Sequence, residues 1–91
     1  MSRIVRTHST YIKGLLVVLK RISKHSGIKT IIPGIIKRID GHKEKLEITI
    51  SRKTISGYKA NARKGNSLQE VYITTKYNRN ELEVIIKQAV K

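Results

Sequence analysis

Twenty lysines and arginines share this chain with six aspartates and glutamates, so no fold it adopts can pair its cations internally. Charge of one sign raises the energy of a compact state through self-repulsion, and an anionic partner relieves it. The formal excess of +14 lies well beyond the roughly 2–8 units that keep a small domain soluble. Nucleic acid, an anionic membrane surface and an acidic protein are the polyanions able to neutralise it. The excess is also uneven. Residues 1–39 hold nine lysines and arginines and no acid, and no acid lies between Glu47 and Glu70.

Ninety-one residues make one domain, 1–91. A chain of this size buries only about 60–65% of the surface its unfolded form exposes, which leaves little depth for an enclosed active site. There is no Phe and no Trp, so Ile, Leu and Val must build the core. The absence of cysteine excludes disulfides, thiolate metal sites and cysteine nucleophiles. The opening MSRIVRTHST is too polar for a signal peptide. The longest apolar run, Gly14 to Leu19, falls far short of the roughly 20 residues that span a bilayer. A soluble cytoplasmic protein is expected, or one of the plastid stroma if the chain is plastid-encoded.

Residues 3–7 suit a short opening strand, and Ser9 or Thr10 offers an oxygen to cap a following helix. From Tyr11 to about His25 the apolar residues Tyr11, Ile12, Leu15, Leu16, Val18, Leu19 and Ile22 recur at helical spacing, with Gly27 placed for a left-handed cap. The middle reads as β structure. Ile28 to Ile32 leads into a Pro33-Gly34 turn, Ile35 to Asp40 continues it, and residues 41–43 mark a reversal. Leu46, Ile48 and Ile50 alternate with Glu47, Thr49 and Ser51, the pattern of a strand with one wet face. Gly57 to Lys64 and Leu68 to Thr75 form two more strands around a Gly65-Asn66-Ser67 turn. Asn78 and Glu81 have capping-box spacing ahead of a closing helix that carries Leu82, Ile85, Ile86, Ala89 and Val90. The expected class is α+β: a three- to five-stranded, mainly antiparallel sheet with an N-terminal and a C-terminal helix on one face. The other face is left to meet a partner.

The candidate binding residues follow from charge and alternation. Arg52, Lys53, Lys59, Arg63 and Lys64 lie in the acid-free stretch. Lys59, Asn61 and Arg63 project from one strand face over about 13 Å, roughly four phosphate steps. Lys64 opens a basic loop whose backbone N–H groups suit phosphate. Lys20, Arg21 and Lys24 on the first helix, with Lys37 and Arg38 beyond it, extend a surface of one sign. Base stacking is thinly provided for. Only Tyr58 and Tyr72 fall on strands, and alternation turns Tyr58 toward the core, so a backbone or shape reader is expected over a single-strand reader.

Other chemistry finds little footing. Ser9 and Ser26 each neighbour a histidine, but adjacency along the chain does not make nucleophile–base geometry. Asp40 and Glu44 form one isolated acidic pair, and Gly41 opens no recognised phosphate loop. No enzyme and no cofactor are expected. His8, His25 and His42 stand 17 residues apart with no His-x-x-x-His pair to support a metal site.

Thr7-His8-Ser9-Thr10-Tyr11, Ile31-Ile32-Pro33-Gly34, and Gly57-Tyr58-Lys59-x-x-Ala62-Arg63-Lys64-Gly65 running into Gln69-Glu70-Val71-Tyr72 resemble a small family of cyanobacterial and archaeal proteins labelled predicted metal-binding. The resemblance covers most of the chain. It implies a metal ligand, and His8 is the histidine inside a matched stretch. The chain departs from the longer archaeal members in lacking their cysteines.

The residues themselves favour a reader of structured RNA or a ribosome-associated factor, with RNA or a ribonucleoprotein as partner and DNA still open. The alternatives are an adaptor or assembly factor docking on an acidic protein complex, and a histidine-based metal-binding protein through His8. Oligomeric state is not legible.

Overall fold

A computed structural model describes residues 12–33, 45–65 and 67–91. Helix α1 spans Leu15–Ser23, followed by strands β1 (Lys29–Ile31), β2 (Glu47–Lys53), β3 (Gly57–Lys64) and β4 (Ser67–Thr74), and by helix α2 (Arg79–Val90). The strands form one antiparallel sheet in the order β1-β4-β3-β2. This is the expected α+β arrangement. The expected strand 3–7, the Ser9 or Thr10 cap, the strand 35–40 and the reversal at 41–43 lie outside the described residues, as does Gly34 of the Pro33-Gly34 turn.

The first helix is shorter than the periodicity from Tyr11 to His25 predicts. Gly14 takes φ 87°, a left-handed conformation that cannot continue a right-handed helix, so α1 begins at Leu15 with Gly14 as its N-cap and no side-chain cap. Ile12 still reaches the core through the turn in which Leu15 N–H donates to its carbonyl. At the other end Lys24 is the C-cap, and Gly27, at φ 76°, turns the chain toward β1. Helix α2 follows its predicted start. The Asn78 side chain accepts from Glu81 N–H at 2.8 Å, and Asn78 N–H donates to the Glu81 carboxylate at 3.0 Å.

Both helices cover the same face of the sheet. Leu15, Val18, Leu19 and Ile22 of α1 and Leu82, Ile85, Ile86 and Ala89 of α2 are buried against Tyr58, Ala60, Ala62, Val71 and Ile73. Each fully buried Leu, Ile or Val contributes about 1.5–3 kcal/mol relative to exposure, and the small alanines of β3 let the helices approach closely. Arg21 ties the helices together by donating to the Ala89 carbonyl at 3.0 Å. Among the described residues no helix is long and apolar enough to cross a membrane.

Candidate nucleic-acid interface

The face of the sheet turned away from the helices is set by register. Arg63 pairs with Leu68, Asn61 with Glu70, and Lys59 with Tyr72, so the odd positions of β3 share the open face with the even positions of β4. Tyr58, Ala60 and Ala62 occupy the helix side, as alternation predicts. On β2 the pairing slips by one residue after Ile50, with Ser51 as the extra residue of a bulge. Arg52 therefore lies opposite Lys59 on the open face, and Lys53 lies opposite Tyr58 on the helix side. The Lys53 ammonium sits 5.2 Å from the centre of the Tyr58 ring, within reach of a cation–π contact.

Register also corrects one expectation about charge. The stretch between Glu47 and Glu70 lacks acid in sequence, but its two bounding glutamates return as cross-strand neighbours. Glu70 pairs with Lys59 at 2.9 Å, and Glu47 lies opposite Arg63 in the ladder. Lys59 is thus not a free cation at the centre of the face, because antiparallel pairing brings together residues that are eleven apart.

The other candidates scatter. Lys64 lies at the end of β3 on the helix side, where its ammonium donates to the Lys13 carbonyl at 3.3 Å. Arg21 is engaged with α2. Lys20 and Lys24 are exposed, Lys20 beside a groove lined by Leu16, Val17 and Ile32. Lys37 and Arg38 lie outside the described residues. What the structure brings together on the open face is Lys59, Asn61 and Arg63 with Arg52, and it adds Tyr72, half-buried beside Lys59. The alternation of Glu70, Tyr72 and Thr74 against Gln69, Val71 and Ile73 was the signal available for Tyr72.

Only two cations among the described residues have a carboxylate partner, Lys59 with Glu70 and Arg79 with Glu83 at 3.3 Å. Arg52, Lys53 and Arg63 are exposed and unpaired among those residues. The Arg79–Glu83 pair is exposed and contributes about 0–1 kcal/mol, and two pairs scarcely offset the excess charge.

The same census tests a metal centre. Among the described residues no three His, Asp or Glu side chains converge. Glu70 and Glu83 are in ion pairs, Glu81 is held in the capping box, and His25 is exposed beyond the end of α1. Gln69 is only 3% exposed, with neither amide atom hydrogen-bonded among these residues, but a carboxamide with no other ligand beside it holds no cation tightly. The described residues do not fit a metal. His8, His42, Asp40 and Glu44 lie outside them.

Residues 1–91 match the family described as "Predicted metal-binding protein (DUF2103)". No curated protein matches the chain. No solved structure matches it either.

Proposed function

The chain belongs to that family; from the surface described above we propose that it is a non-enzymatic nucleic-acid-binding protein, a backbone reader of structured RNA. The observation that carries the reading is a pair of exposed arginines without carboxylate partners among the described residues, Arg52 and Arg63, on the open sheet face. Arg63, Asn61 and Lys59 follow one another along β3, and Arg52 lies beside Lys59 on the neighbouring strand, so the face offers charge and hydrogen-bond donors. Lys59 acts differently from the two arginines: a phosphate must compete with Glu70 for it. The partner is RNA or a ribonucleoprotein in this reading, and association releases the counterions condensed on it.

Fluorescence anisotropy with duplex RNA, single-stranded RNA and duplex DNA at several salt concentrations tests the proposal. One ligand is expected to bind clearly tighter, with a log–log salt slope of about four contacts or more. Arg52→Glu combined with Arg63→Glu is expected to weaken that binding at least tenfold and to flatten the slope by about two contacts. Equally weak binding of all three ligands near physiological salt, or unchanged affinity in the double variant, overturns it.

The family description favours a second reading, in which the chain holds a metal through residues outside those described, His8 first among them. Metal analysis of untagged protein decides it. Stoichiometric metal that disappears in His8→Ala supports the reading, and less than about a tenth of an equivalent ends it.

A further inference from the structure

The turn between β2 and β3 stands beside the open face, and the hollow between them is built unlike the rest of that face. Thr54 N–H donates to the Gly57 carbonyl at 2.8 Å, and Gly57 N–H donates to the Thr54 hydroxyl at 3.1 Å. Thr75 N–H donates to the Ser56 carbonyl at 3.0 Å, which ties the turn to the end of β4. Pinned at these points, the turn holds Ile55 fully exposed. A lone exposed isoleucine is ordinary. This one forms the wall of a shallow hollow of about 720 Å³, shared with Arg52, Lys53, Thr54, Ser56 and Tyr72.

We propose that this hollow receives one unpaired nucleotide, its base stacked on Tyr72 and the Arg52 guanidinium. The proposal rests on the nucleic-acid reading above and names what that surface selects: structured RNA that carries an unpaired base. Three features on the page support it. Tyr72 lies in the row Ile31, Tyr72, Lys59, Arg52 that the ladder runs across the sheet, so the aromatic ring and the guanidinium share one face. Tyr72 is half-buried, anchored by its neighbours but open to the hollow. The bulge at Ser51 is what brings Arg52 to this face, where its planar guanidinium, without a carboxylate partner among the described residues, is suited to stacking. A base inside a perfect duplex keeps both faces covered by its neighbours, so only a loop, bulge or end can fill such a site.

The competing occupant is an anionic bilayer met by the exposed Ile55 at the tip of the turn. That contact would use the tip of the turn and leave Tyr72 idle, so the two are separable by variant.

The test uses the full chain and two labelled RNA duplexes that differ by a single unpaired adenosine, compared by anisotropy at one salt concentration. Wild type is expected to prefer the bulged duplex roughly tenfold or more, the size of effect one stacked base supplies. Tyr72→Leu, which keeps apolar bulk, is expected to erase the preference and leave the perfect duplex within about twofold, while Tyr72→Phe keeps it. Arg52→Lys, at an exposed position that places no burden on folding, is expected to cut the preference severalfold, because an ammonium keeps the charge but loses the planar stacking surface. No preference in wild type, or a preference that survives both Tyr72→Leu and Arg52→Lys, overturns the subsite while duplex binding stands. Failure to bind either duplex overturns the nucleic-acid reading itself. Sedimentation with phosphatidylserine-containing vesicles that is lost in Ile55→Ser but kept in Tyr72→Leu assigns the tip to a membrane and overturns the proposal.

Discussion

At Gly57 the sheet leaves no room for another carbon atom. A Cβ built there would stand 1.9 Å from the Ile73 carbonyl oxygen and 2.9 Å from its carbon, both backbone atoms that no side-chain rotation can move aside. Relief requires β3 to shift off β4 at the start of their ladder, where Gly57 pairs with Thr74 and its N–H also closes the Thr54 turn. Gly57→Ala is therefore expected to destabilise the fold by about 1–3 kcal/mol, as overpacking does. In a domain of this size the thermal midpoint falls by roughly 4–8 °C for each of those kcal/mol. An unchanged midpoint by circular dichroism would show that the strands part at little cost. Gln69 lacks a partner instead, and its buried amide makes no hydrogen bond among the described residues.

At the scale of elements, what was legible in the sequence was whatever depends on neighbours along the chain. The alternation in β3 sorted Tyr58, Ala60 and Ala62 from Lys59, Asn61 and Arg63, because strand period alone sends them to opposite faces. The Asn78–Glu81 capping box marked α2, because both its bonds are local. The start of α1 is not legible in this way, since Gly14 sits at the head of an apolar run whose spacing masks its left-handed conformation. The site was less legible than the fold. Its cations could be counted, but the Lys59–Glu70 pair depends on how β3 turns into β4. Arg52's place depends on a bulge that an ordinary serine gives no sign of, and the hollow is assembled from β2, its turn and β4 together. Nothing local announces that β1 lies outside β4, since Lys29–Ile31 and the partners Tyr72 to Thr74 are more than forty residues apart.

For the molecule as a whole, two effects of salt oppose each other. Salt weakens the two ion pairs among the described residues, and it screens the repulsion among the cations that outnumber the acids twenty to six. With a net charge of +14 the second effect wins. Raising sodium chloride from about 0.01 M to 1 M shortens the screening length from roughly 30 Å to 3 Å. The thermal midpoint of the free protein is expected to rise across that range, and one that falls instead would mean that attractive pairs dominate the surface. The strand order also sets a sequence of events in time. A ribosome delivers α1 and β1 first, yet β3, β4 and α2, which cover the apolar stripe of α1 and the inner edge of β1, are all made later. During synthesis Leu15, Leu19 and Ile22 therefore have no surface to pack against until the strands and helix that cover them have been made.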